Sequence, residues 1–342
     1  MKQIFIYMFF FISILGCKKN DESGILHWST MNNGIPNNMN GTWNSDFVYV
    51  IATQVNNVYI SIMAHTESGN TFERGVYLLS NPGNSWTAVN NGVPDDIRVN
   101  TIAIQGNNIY IGLDSNGVYL SSDYGKTWNA ANNGLPDASV WAIAIQENNI
   151  YAGMWGKGIY LSSDTGKTWK AVNNGLNSYN ISSIACQGNN IYAGTDGGGL
   201  YFSSNSGSNW TAINDGLPAN NGVYTIAVQG NNIYIVVNGN IYLSSDNGNN
   251  WTSINNGLSD INKGVSDNKY PPNYNVNTIA VQGNNIYAGT GGSGMYLSNN
   301  NGSNWTAIND GLPANLGVNT IVIQGNTIYV GTDEGVYVTS NY

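Results

Sequence analysis

Three aspartates, Asp123, Asp164 and Asp246, recur in one sequence context, and a carboxylate repeated at fixed spacing is the first place to look for acid–base chemistry. Asp123 and Asp164 stand in full copies of S-x-D-x-G-x-T-W, from Ser121 to Trp128 and from Ser162 to Trp169. Asp246 stands in a softened copy that continues through Gly248 to Trp251, with Asn250 in place of the threonine. In two further copies Asn205 and Asn300 replace the aspartate itself. An amide cannot do the proton transfer of a carboxylate, but it can accept hydrogen bonds in a turn almost as well. The pattern therefore assigns these residues to structure. Gly125, Gly166 and Gly248 are expected to supply a positive backbone dihedral, and Trp128, Trp169 and Trp251 to wedge between sheets.

The remaining polar residues restrict the chemistry further. A glycosidase needs two carboxyls at a separation set by its mechanism, and Glu73, Asp95, Asp96, Asp114, Asp137, Asp196, Asp333 and Glu334 are candidates, none distinguished by its context. Metal binding has little support, because His27 and His65 are far apart and no spaced cysteine set exists. Loop carboxylates could hold calcium, but no EF-hand spacing occurs. No phosphate loop or nucleophile elbow is present, and no cofactor is expected. Charged residues make up 9% of the 342-residue chain and the net charge is −9, with only two arginines, Arg74 and Arg98. Nucleic-acid binding, which needs a concentrated basic face, is excluded on that ground. Cys186 stands where other copies carry Ile or Val and reads as a small buried hydrophobe.

The elements that must position these residues follow from a repeat. Trp86, Trp128, Trp169, Trp210, Trp251 and Trp305 are spaced by 42, 41, 41, 41 and 54 residues. One unit, from Val140, contains four candidate strands: A over 140–146, B over 150–153, C over 158–162 and D from about Trp169 to an Asn173-Asn174-Gly175 end. Four antiparallel strands in about 41 residues is the size of a propeller blade. Complete units cover 47–92, 99–134, 140–175, 181–216, 223–257 and 276–311; a seventh starts at Val318 and lacks strand D. The segment from Trp28 to Pro36 aligns with that from Trp128 to Pro136, so it is an orphan strand D expected to complete the last blade and close the ring. The expected fold is an all-β, seven-bladed β-propeller of four-stranded antiparallel blades over 25–342.

Departures from the repeat mark specialised positions. In a propeller the D-to-A and B-to-C connections share one face, the top, and the serine–aspartate turns lie on the other. The expansions 258–275, with Tyr270 and Tyr274, and 37–46, with Trp43, are D-to-A connections, while His65, Glu73 and Arg74 belong to a long B-to-C connection. The second residue of strand A varies around the ring as Tyr49, Asn100, Trp141, Ser182, Tyr224, Asn277 and Asn319. Trp155 adds an aromatic on the same face as Trp141. Trp43, Tyr49, His65, Arg74, Arg98, Trp141, Trp155, Tyr224, Tyr270 and Tyr274 are thus the candidate binding residues of the top face. Such aromatics beside asparagines suit a glycan or a protein partner.

Two resemblances add to this reading. Residues 1–16 carry a lysine and an apolar run too short for comfortable spanning, and Ile14-Leu15-Gly16-Cys17 resembles the lipobox of bacterial lipoproteins. That resemblance implies a cleaved signal peptide, a lipid on Cys17, a short tether over 17–24 and a place in the cell envelope, on the outer or inner membrane and at the cell surface if the Lys18-Lys19-Asn20-Asp21-Glu22 run serves for export. The repeated turn resembles the Asp-box, or BNR-repeat, propellers, which include sialidases, xyloglucan-active hydrolases, sortilin-type receptors and photosystem II assembly-factor propellers. Sialidases bind their substrate with three arginines, which two arginines cannot supply; the xyloglucan-active members place their cleft between two propellers. The reading is therefore a monomeric, lipid-anchored, non-catalytic propeller binding a protein or glycan through its top face, with a glycoside hydrolase using two top-face carboxylates as the alternative. The tether reaches roughly 35 Å at most, which would turn the serine–aspartate face to the membrane and the top outward.

Overall fold

A computed structural model describes residues 26–36, 47–65, 72–80, 85–95, 97–219, 222–258 and 275–340. Cys17, Trp43, Tyr270 and Tyr274 lie outside the described residues. The chain forms seven four-stranded antiparallel sheets. In the third blade strand A is Val140–Gln146, B is Asn149–Met154, C is Gly158–Ser162 and D is Lys170–Ala171. The paired part of strand D is shorter than its sequence suggests, because only Lys170 and Ala171 oppose Leu161 and Tyr160. Every D strand from the first blade to the sixth has this length.

Ring closure is observed in the seventh blade. Strands Val318–Gln324, Thr327–Thr332 and Gly335–Ser340 are completed by Ser29–Thr30, with Ser29 opposite Val338 and Thr30 opposite Tyr337. Strand B is buried on both faces, as in Ile150, Tyr151 and Ala152, because the hydrophobic clusters lie between blades. One such cluster joins Tyr110 and Val118 of the second blade to Val140, Ile143, Ile150 and Trp169 of the third.

The motif tryptophans are the links between blades. Each indole N–H donates to a carbonyl in the strand D region of the preceding blade: Trp86 to Met31, Trp128 to Val89, Trp169 to Ala131, Trp210 to Val172, Trp251 to Ile213, Trp305 to Ile254 and Trp28 to Ile308, at 2.6–2.8 Å. The partner carbonyl is always one blade back, so the seven bonds close a circle. A second circle runs through the glutamine that ends each strand A. Gln229, Gln282 and Gln324 donate to Gly283, Gly325 and Val55 in the next blade's A-to-B turn at 2.8–2.9 Å. Gln54, Gln105 and Gln146 make the same bond to Gly106, Glu147 and Gly188, and Gln187, with its amide oriented to satisfy both groups, makes it to Gly230.

The serine–aspartate turn is a hydrogen-bonded staple. Ser162 Oγ donates to Asp164 Oδ1 at 2.8 Å and accepts from Gly166 N at 2.9 Å. Asp164 Oδ1 accepts from Thr168 N at 2.9 Å, and Oδ2 from the Thr168 hydroxyl at 2.6 Å. Asn205 keeps the bonds from Ser203 and from Asn209 N at 2.9 and 3.0 Å, so the amide accepts where the carboxylate does. The residue before the glycine is left-handed as well: Tyr124, Thr165, Ser206, Asn247 and Asn301 have φ of 56–63°. Two successive positive dihedrals are what a tight hairpin turn demands.

Candidate functional site

The top-face positions are built by a distortion common to all seven blades. A register shift in the A–B pairing falls between Val48 and Val50, Val99 and Thr101, Val140 and Ala142, Ile181 and Ser183, Val223 and Thr225, Val276 and Thr278, and Val318 and Thr320. The skipped residues are Tyr49, Asn100, Trp141, Ser182, Tyr224, Asn277 and Asn319, the variable set read from the sequence. Each is the bulge residue that the A–B ladder skips, at the start of an innermost strand. A bulge re-aims one side chain while the ladder resumes, so the fold presents seven freely chosen side chains on an invariant frame.

Those seven divide into two groups. Asn100 and Asn277 donate their amides to Val140 O and Val318 O at 3.2 Å, and Ser182 donates to Val223 O at 2.6 Å; each bond reaches the next blade. Asn319 donates to Asp333 Oδ1 at 2.9 Å. Each of these polar side chains makes a hydrogen bond within the protein, and Asn100 Oδ1 is buried without a partner. The aromatic members differ: Tyr224 is 53% exposed, with its hydroxyl donating to Asp196 Oδ1 at 2.7 Å.

Tyr49 and Trp141 belong to a continuous row. The Arg98 guanidinium carbon lies 4.2 Å from the Tyr49 ring centroid and 5.2 Å from that of Trp141. Trp155 follows, its ring 5.7 Å from Trp141 at an interplanar angle of 40° and 42% exposed. Arg98 directly precedes strand A of the second blade, and Trp155 directly follows the B strand of the third, with its backbone N–H donating to Ser139 O at 3.0 Å. The row therefore spans three blades, and four of the residues singled out in the sequence meet in it.

Other expected residues lie elsewhere. The described ends of the connection through His65 and Arg74 are strand and not loop: Asn57–His65 and Phe72–Ser80 pair to the end, with His65 opposite Phe72 and Met63 opposite Arg74, and residues 66–71 lie outside the described residues. The B and C strands of the first blade, nine residues each, are longer than those of the other blades, such as Asn108–Leu113 and Gly117–Ser121 of the second. Tyr179, 47% exposed in the D-to-A connection of the third blade, was not anticipated; its carbonyl accepts from Gly158 N at 2.9 Å. The signal was available, since Asn177-Ser178-Tyr179 stands where other units read a proline-led turn.

The electrostatics distinguish the carboxylates. Asp123 and Asp164 are held down to about 2, chiefly by the Thr127 and Thr168 hydroxyls and then by the backbone N–H groups of those residues. Asp246 is lowered in the same way by Asn250. Burial raises Asp333. Tyr224 is raised by its hydrogen bond to Asp196, then by burial, which opposes formation of a phenolate nucleophile. Among the described residues no group of three or more His, Cys, Asp or Glu side chains could hold a metal ion.

Comparison with known proteins places this geometry. Curated proteins give no match. Among solved structures, the extracellular domain of BT4673 from B. thetaiotaomicron, described as a one-component system, superposes with a TM-score of 0.65 at 19% identity, over 87% of this chain and 39% of that one. YCF48 bound to D1 peptide gives 0.65 at 15% identity, over 87% and 94%. The GH74 xyloglucanase from Xanthomonas campestris gives 0.66 at 16%, over 92% and 54%. This chain thus spans well under two thirds of the BT4673 domain and of the xyloglucanase, and at these identities the likeness is one of fold. The DUF6242 β-propeller domain profile matches residues 26–189 and 177–270, most of the chain, and the protein belongs to that family.

Proposed function

We propose that this propeller is a non-catalytic binding protein of the bacterial cell envelope, lipid-anchored through Cys17 after removal of residues 1–16, that presents its top face to a protein partner. The observation that carries the reading is the row Tyr49–Arg98–Trp141–Trp155, an assembly of the residue types that dominate protein interfaces. Asn100, Asn277 and Asn319 each commit an amide N–H inside the protein, which leaves fewer donors for sugar hydroxyls and favours a protein over a sugar. The fold likeness to a peptide-bound YCF48 and to an extracellular BT4673 domain is compatible with this use. Pull-down from envelope extracts with Trp141→Ala/Trp155→Ala should lose the partners captured by the wild type; equal capture would remove the top face from the account. Cys17→Ala should abolish labelling by radioactive palmitate.

A second reading, glycoside hydrolysis by a pair of top-face carboxylates, would use as its acid Asp333, which accepts a hydrogen bond from Asn319 and is raised by burial. Turnover of a glycan panel that is lost in Asp333→Asn would establish it in place of the binding role.

A further inference from the structure

We infer that Arg98 is a carboxylate receptor, and that the ligand of the top face is an extended peptide carrying an Asp or Glu two residues from an aromatic or large apolar side chain. The inference rests on the binding-face reading and specifies its ligand. The Arg98 guanidinium carbon has the Tyr49 and Trp141 ring centroids at 4.2 and 5.2 Å, so two aromatic rings lie against it. Its Nε is buried and has no hydrogen-bond partner. Among the described residues no carboxylate forms an ion pair with it. A guanidinium carries five N–H donors. With two rings against the group and Nε buried, the end bearing the two Nη groups is the part assigned to a ligand.

That end is a fork of parallel N–H donors, the geometry that grips a carboxylate with two hydrogen bonds. Contact with two aromatic rings restrains the guanidinium before the ligand arrives, so less side-chain freedom is lost on binding. A single cation in a chain of net charge −9 matches a singly charged carboxylate better than a doubly charged phosphate. Trp155 supplies the second half of the site. Tilted by 40° against Trp141, it forms an aromatic step into which an apolar side chain can be laid. In an extended peptide residues i and i+2 point the same way about 7 Å apart, a spacing suited to one side chain at Arg98 and the next at the Trp141–Trp155 step.

The experiment is panning of a displayed random heptapeptide library on the wild-type protein, followed by calorimetric titration of the enriched peptides. The expected consensus places Asp or Glu two positions from an aromatic or large apolar residue. Arg98→Met, which keeps an apolar stem between the rings, should weaken these peptides about ten- to hundredfold, and Arg98→Lys should restore only part of the loss. Replacing the peptide's Glu by Gln should cause the same loss without altering the protein, which keeps the test intact if Arg98→Met fails to fold. Enriched peptides without an acid, or acidic ones that bind Arg98→Met as tightly as wild type, would overturn the carboxylate assignment; if they still depend on Trp141 and Trp155, the binding face survives. Enrichment of nothing, or preference for phosphopeptides in a matched titration, also overturns it. Loss of thermal stability in Arg98→Met without loss of affinity would make Arg98 a strap between blades.

Discussion

Removing the indole of Trp28 should open the propeller at one seam. Trp28 is 1% exposed, its ring N–H donates to Ile308 O at 2.6 Å, and its backbone N–H donates to Asp310 O at 2.9 Å. The strand it precedes pairs with the seventh blade through only two residues. Asn32 adds a bond from Val336 N at 2.8 Å and one to Glu334 O at 3.0 Å. Truncating a buried tryptophan to alanine costs about 3–5 kcal/mol, a large share of the roughly 5–15 kcal/mol that stabilises an ordinary domain. Because the closing strand is joined to the rest of its own blade only by hydrogen bonds and packing, the cost should fall on local opening. A local loss of about 3 kcal/mol corresponds to roughly a hundredfold in the opening equilibrium. Hydrogen–deuterium exchange of Trp28→Ala should show amides of Gly335–Ser340 exchanging about a hundredfold faster, with the third blade near wild-type protection. Trp169→Ala, made in a covalently continuous blade with the equivalent bond to Ala131, is the control. Equal acceleration in all seven blades of Trp28→Ala, or no acceleration at the seam, would refute the reasoning.

Other outcomes follow from single residues. Thr165 is β-branched at φ 62°, where Asn247 and Asn301 stand in equivalent turns; Thr165→Asn should stabilise by about 1 kcal/mol in urea denaturation. Asp123 and Asp164 titrate near 2, below the unfolded value of about 3.9, so their stabilising contribution is present above that value and is lost as pH falls through 2. Circular dichroism against pH should show the acid transition shifted upward in Asp123→Asn/Asp164→Asn relative to wild type if the charged form matters, and unshifted if the amide is equivalent at all pH values. Cys186 is half-buried and not fully enclosed as its sequence position suggested, and burial pushes its thiol up to about 12, so iodoacetamide at pH 8 should label it far more slowly in the native protein than after unfolding; mass spectrometry checks this.

The fold was readable because each blade needs the same solution to the same problem. A strand flanked by neighbouring blades must be apolar on both faces, a tight turn must carry Asn or Gly, and a tryptophan must fill the joint, so Ile150-Tyr151-Ala152 and Trp169 recur with little freedom. The orphan strand at Trp28 was legible for the same reason. The direction of the indole bond was not, because packing into the same blade or the preceding one leaves the same residue pattern. The glutamine circle was visible as a recurring letter at Gln54, Gln105 and Gln146, but its meaning depends on where the next blade's turn falls. For the site, variability of Tyr49, Trp141 and Tyr224 was plain, whereas the bulge that makes those positions variable is a backbone event with no sequence mark. Nor could spacing show that Arg98 crosses two blade boundaries to join Tyr49 and Trp141, since that contact depends on the twist between sheets.

The central claim is that partners meet the face bearing Trp155 and not the face bearing the serine–aspartate turns. Photocrosslinking in the native cell tests it directly, with benzoylphenylalanine placed in Trp155→benzoylphenylalanine and, on the opposite face, in Tyr124→benzoylphenylalanine, both exposed positions. The account predicts a covalent adduct from position 155 that is competed by an acidic peptide selected on the wild type, and none from position 124. Adducts from position 124 with none from 155 would contradict it.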